Sequence, residues 1–117
     1  MTSLVACLGS GKGTWNEVHS IISAESWDKV YLVTNSFGKE KFTAENAEFI
    51  VLDDLQPSQM LIPIIVNGLK GKIRGTDVAI NISSGSGNLH MALLTALLKL
   101  GLGVRFVTFA NSKVEEL

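Results

Sequence analysis

Asp77-Val-Ala-Ile-Asn-Ile-Ser-Ser-Gly-Ser-Gly-Asn-Leu-His-Met91 is the stretch that decides the fold. From Asp77 to Ile82 it is nearly unbroken apolar residue, the pattern of a strand covered on both faces rather than the alternation of a strand facing water. Ser83-Ser84-Gly85-Ser86-Gly87 breaks the run, and a strongly apolar helix is predicted over Asn88 to Leu100, stopped by Gly101. Strand, glycine-serine loop and helix in that order form the repeating unit of a parallel sheet with helical crossovers.

The same unit opens the chain. Ser3 to Leu8 is an apolar run that Gly9-Ser10-Gly11-Lys12-Gly13 ends. Thr14 then stands in a helix-capping position, Glu17 follows at capping-box spacing, and Val18, Ile21 and Ile22 fall on one helical face. Between these two units, Lys29 to Thr34 reads as a second buried strand punctuated by Asn35-Ser36-Phe37-Gly38, with a short helix expected from about Glu40 to Asn46. Glu48 to Leu52 is a third strand and stops at Asp53-Asp54. Met60, Leu61, Ile64, Ile65 and Leu69 repeat at helical spacing, with Pro57 favourable in the first turn and Pro63 expected to kink the helix. Gly103 to Phe109 closes the sheet ahead of a polar tail. The expectation is one α/β domain spanning 1–117. It is Rossmann-like, with a doubly wound parallel sheet of about five strands in the order 3-2-1-4-5 and helices on both faces.

Composition narrows what such a domain can do. The 117 residues carry a formal net charge of −1, and no cluster of Lys or Arg stands out, so duplex nucleic acid is not expected as a partner. Cys7 is the only cysteine, which rules out an internal disulfide and a cysteine-based zinc cluster and fits a reducing compartment. Its place in an apolar strand makes it a packing residue. No leader pattern and no run long enough to span a bilayer is found, so the expectation is a cytoplasmic protein with no membrane partner. At 46% hydrophobic, the chain has more apolar side chain than the interior of a monomer this size needs, and a subunit interface would cover the surplus.

Order 3-2-1-4-5 places the first and fourth strands side by side, at the switch point where crossovers diverge and leave a crevice. Both loops flanking that crevice are rich in Gly and Ser. Glycines let backbone approach an anion, and helix-terminal amides and serine hydroxyls donate to phosphate oxygens. Each loop alone could be no more than a tight strand-to-helix turn. Two that converge suggest a ligand with several phosphates.

Other readings of the same residues are weaker. Ala6-Cys7-Leu8-Gly9-Ser10-Gly11-Lys12-Gly13-Thr14 looks like the Walker A loop of nucleoside monophosphate kinases, but Ala6 replaces its first glycine. Asp53 could pose as a magnesium carboxylate, yet the chain has no room for the lid or arginines of phosphoryl transfer. As a dinucleotide fingerprint the loop lacks its last glycine, and Asn35 stands where the ribose carboxylate belongs. His19 and His90 have no second metal-type ligand at helical spacing, so no metal site is expected; His90 could contact ligand or a dimer partner. Asp53 and Asp54 could be an acid/base pair, with capping of the next helix the stronger reading, and Trp15 and Trp27 read as core or interface anchors.

Nearly the whole chain resembles the CARF family, the CRISPR-associated Rossmann-fold sensor domains. Its pattern of an apolar strand ending in Asn or Asp, a Ser/Thr- and Gly-rich turn and an apolar helix is met by Asn81, Ser83, Ser84, Gly85 and Ser86. Gly9, Ser10, Gly11, Lys12 and Thr14 occupy the family's other contact region. The resemblance implies a homodimer that binds cyclic oligoadenylate across its two-fold axis, with cyclic tetra-adenylate the expected ring, in type III CRISPR antiviral signalling. A separate effector protein would be a partner, and no cofactor is implied. The expected ligand-binding residues are Gly9, Ser10, Gly11, Lys12, Gly13, Thr14, Asn81, Ser83, Ser84, Gly85, Ser86, Gly87, Asn88 and His90. Gly87 departs from the pattern, standing where many relatives carry a basic residue; Lys12 is the candidate to supply that charge. The alternative is a metal-independent ring nuclease with Ser10, Ser84 and Ser86 as oxyanion donors and Lys12 as cationic stabiliser, for which no general base is evident. A mononucleotide- or dinucleotide-binding protein is the further alternative.

Overall fold

Leu4–Cys7 (β1), Val30–Thr34 (β2), Ala47–Val51 (β3), Asp77–Asn81 (β4), Gly103–Ala110 (β5) and Lys113–Glu116 (β6) form one sheet in the order β3-β2-β1-β4-β5-β6. The structure is a computed structural model and describes residues 2–117. The first five strands pair in parallel, and β6 runs antiparallel to β5. The fold is therefore α/β and Rossmann-like, with one strand more than the sequence predicts. The extra strand is the expected polar tail. Asn111 and Ser112, with φ of 54° and 63°, make a two-residue reversal between Ala110 and Lys113. Two left-handed residues match the twist of a hairpin. The signal is faint because Ser stands where Gly is usual and β6 has one apolar residue, Val114.

Alternation along the strands divides the core between two faces, since successive side chains point opposite ways. Val5, Cys7, Tyr31, Val33, Val78 and Ile80 pack beneath Ser58–Leu69 (α3) and Gly87–Lys99 (α4). Leu4, Ala6, Leu8, Val30, Leu32, Ala79 and Val107 face the other side, covered by Trp15–Ala24 (α1) with Trp15, Val18 and Ile21, and by Phe42. Burial pushes the Cys7 thiol up to about 12, because a thiolate in this apolar layer would lose its hydration. Leu89, Leu93 and Leu97 of α4 are spent on the chain's own core, which leaves Met91 and Leu98 exposed.

Several helix boundaries differ from the sequence reading. Ser36–Lys41 (α2) lies earlier than the helix expected over Glu40 to Asn46, because Asn35 caps it, Oδ1 accepting from the Gly38 amide at 2.9 Å. Gly38, which looks like a strand breaker, lies inside that helix, at a place where only glycine fits because a Cβ there would lie 1.9 Å from Thr34 Oγ1. Thr14 makes no side-chain cap. A 3-10 turn over Lys12–Thr14 precedes α1 and holds Thr14 at ψ −3°, outside the extended geometry that a capping side chain needs. α3 runs unbroken through Pro63, with Pro57 just before its first turn rather than in it. Neither aspartate caps α3: Asp53 Oδ1 accepts from the Leu55 amide in a local turn, and Asp54 is turned elsewhere. α4 starts at Gly87, one residue earlier than expected, with Ser86 as its cap. Gly101 ends it at φ +73°, the left-handed geometry expected of a helix stop.

Candidate functional site

The two glycine-serine loops meet. The Gly9 amide donates to Ser84 Oγ at 2.8 Å, and the Gly9 carbonyl accepts from Trp15 Nε1 at 2.9 Å. Both backbone groups of Gly9 are therefore held, one by the opposite loop and one by the helix that follows its own. No other residue fits, since a Cβ on Gly9 would lie 2.9 Å from the Gly85 nitrogen. Gly85 itself sits at φ +95°, with Cys7, Leu89 and His90 around the place a Cβ would occupy. His90 Nε2–H donates to the Ser84 carbonyl at 2.7 Å and so braces the second loop from behind.

Between the loops, at the C-terminal ends of β1 and β4, lies an open cleft of about 480 Å³ lined by Gly9, Ser10, Gly11, Gly13, Thr14, Asp54, Ser83, Ser84, Gly85 and Ser86. Its hydroxyls differ in what they have left to offer. Ser10 Oγ accepts from Asn35 Nδ2, Ser84 Oγ from Gly9 and Ser86 Oγ from the Leu89 amide. A hydroxyl that accepts within the protein keeps its proton for another acceptor, and Ser10 and Ser86 are exposed where an outside one could reach them, whereas Ser84 is buried. Ser83 is the exception, because its Oγ–H is committed to Glu17 Oε2. With the α4 N-terminus also opening here, the cleft presents donors to a bound anion.

Not every residue expected to bind ligand lines the cleft. Lys12 points its ammonium at the Phe37 ring, 5.7 Å from the centroid. Asn81 is buried beneath the cleft, its amide donating to Glu17, Ser83 and the Val107 carbonyl while its oxygen accepts from the Ser83 amide. It shapes the loop from below. Asn88 turns toward α3, contacting Ser58 Oγ and donating to the Gln56 carbonyl. Gly87 is exposed at the head of α4, and His90 stands behind Ser84. His19 stacks on Phe42, with ring centroids 4.0 Å apart.

Two acidic residues enter that the sequence reading placed elsewhere. Glu17, expected in a capping box, instead gathers donors from Asn81, Ser83 and Thr108 and so joins α1 to the ends of β4 and β5. Asp54 reaches the cleft wall, where its Oδ1 accepts from Asn35 Nδ2 at 3.2 Å. Only a pairing across the sheet could reveal either role, and no spacing in the sequence encodes one. A second cleft of about 480 Å³ lies beside Trp27 and Arg105. Two of its charges satisfy each other: Arg105 donates through Nε and Nη2 to Glu116 Oε1, which holds the Glu116 carboxyl below its usual range. No helix among the described residues is long and apolar enough to cross a membrane.

No family model matches the chain, and no curated protein matches it.

Proposed function

We propose that this chain is a cytoplasmic CARF-type sensor domain. It acts as a homodimer that binds a cyclic oligoadenylate, cyclic tetra-adenylate foremost, in type III CRISPR antiviral signalling, and passes the signal to a separate effector. The observation that carries the reading is the Gly9-to-Ser84 hydrogen bond, which joins the two glycine-serine loops into one wall. A ring of phosphates on a two-fold axis meets that wall twice, once in each subunit, so modest hydrogen bonds add across the dimer. Met91 and Leu98, 58% and 71% exposed on α4, are apolar surface available to a second subunit.

Binding without cleavage is favoured over the ring-nuclease alternative by charge. Among the described residues, Asp54 is the one charged side chain lining the cleft, and Lys12 stands over Phe37. Among the described residues, no cation lines the cleft to stabilise charge that develops on a phosphate during cleavage.

The test is to incubate the protein with cyclic tri-, tetra- and hexa-adenylate, follow its melting temperature and run the ring on a column afterwards. A ring at a hundred times its Kd adds about 2.7 kcal/mol, on the order of 10 °C for a domain of this size. Stabilisation with the ring intact supports sensing. Linear products would move the assignment to the nuclease, and no shift with any ring would overturn the proposal.

A further inference from the structure

From the position of Asp54, we infer that it is a specificity-determining residue of the cleft, accepting a hydrogen bond from a hydroxyl or amine of the ligand while the serines and amides take its phosphate. The inference rests on the proposed function, since it concerns the same cleft and the same ligand.

The geometry runs through Asn35. Its Oδ1 accepts from the Gly38 amide at 2.9 Å, which fixes which end of the side chain is the NH2 group. That NH2 group donates to Ser10 Oγ at 3.0 Å and to Asp54 Oδ1 at 3.2 Å. One oxygen of Asp54 is thus occupied, and among the described residues the other has no protein donor and no cation within ion-pair distance. Asp54 is half-buried in the cleft wall.

A carboxylate in that position opposes a ligand made only of phosphate, because like charges at short range repel. It suits a ligand that carries donors beside its phosphates. A nucleotide does: each phosphate is flanked by a ribose hydroxyl and, in adenylates, by a base amine. Because one Asn35 amide holds both Ser10 and Asp54, the phosphate-binding and donor-binding walls keep a fixed spacing. The cleft then discriminates in favour of nucleotides and against bare polyphosphate, by attraction to the donor and repulsion of the excess charge.

Calorimetric titration of wild type, D54N and D54A tests this. The probes are cyclic tetra-adenylate, its 2′-deoxy counterpart, cyclic tetra-inosinate, which lacks the amine, and tripolyphosphate, which lacks both donors. Thermal melts without ligand check that the variants fold. The expected result is at least a tenfold loss of tetra-adenylate affinity in both variants, with tripolyphosphate binding unchanged or tighter. Wild type should also lose affinity for whichever ring lacks the group Asp54 holds, and D54N should be indifferent to that loss. If wild type binds the rings and D54N binds them as tightly or more tightly, Asp54 is a bystander and this inference alone fails. A wild type that binds no ring overturns the functional reading, and the role of Asp54 with it.

Discussion

Replacing Gly9 by alanine tests the junction of the two loops, because the added methyl group has nowhere to go. Its carbon would lie 2.9 Å from the Gly85 nitrogen and 3.0 Å from the Gly85 Cα, both backbone atoms that no rotamer change can clear. Ordinary contact begins near 3.4 Å, so the loops must part by about 0.5 Å. Overpacking of this kind costs about 1–3 kcal/mol. Parting also stretches the 2.8 Å bond from the Gly9 amide to Ser84 Oγ, and loss of such a bond adds about 1 kcal/mol. A total of about 2–4 kcal/mol lowers the melting temperature of a domain this size by roughly 6–20 °C. Thermal unfolding followed by circular dichroism measures the shift, and calorimetry with cyclic tetra-adenylate should show a loss of more than tenfold. G11A is the control: nothing lies within 4 Å of a Cβ at Gly11, whose φ is −79°, so its melting temperature should stay near that of wild type. If G9A melts within about a degree of wild type and binds the ring as well, the junction is not what holds the cleft.

Three further outcomes follow from the same contacts. S84A should leave the Gly9 amide buried without a partner and cost about 1–3 kcal/mol in denaturant unfolding, whereas an unchanged midpoint would mean that the amide finds another acceptor. Cys7, with its thiol pushed up to about 12 from 9.0, should resist a thiol reagent at pH 8 in the native state and react at once in denaturant; rapid native labelling would contradict its burial. Its folded pKa is raised, so its contribution to stability is whole below pH 9.0 and declines toward pH 12, as the unfolded chain loses the proton first. K12A should weaken ring binding by less than about 1 kcal/mol, an effect that salt erases, since this exposed ammonium acts through its field; a loss of tenfold or more at high salt would show that Lys12 leaves Phe37 to touch the ligand.

What the sequence makes legible is whatever local pattern controls. The buried strands stand out because both faces of the sheet are covered, and Val78-Ala79-Ile80 leaves little choice of element. The two loops announce themselves through glycines that the fold then requires, Gly9 for close approach and Gly85 for its left-handed backbone. What is hidden is decided between elements far apart in the chain. Glu17 satisfies the spacing of a capping box, but Asn81 and Ser83 are better placed to donate to it once β4 lies beneath α1. Position 38 of a helix is glycine because Thr34 leaves no room for a side chain, a contact no propensity scale contains. Asp54 follows the edge-ward strand β3, yet Asn35 draws it to the cleft between β1 and β4. β6 is hidden for a different reason: its short, charged sequence is that of a protected sheet edge, and such edges read as tail.

The most direct test of a shared cleft is an amide-resolved NMR titration of the uniformly 15N-labelled protein with cyclic tetra-adenylate. If both loops hold one ring on a dimer axis, the amides of residues 9–13 and 84–88 shift together along one binding curve that saturates at one ring per two chains. Shifts confined to one loop, saturation at one ring per chain, or no shift at millimolar ring would contradict it.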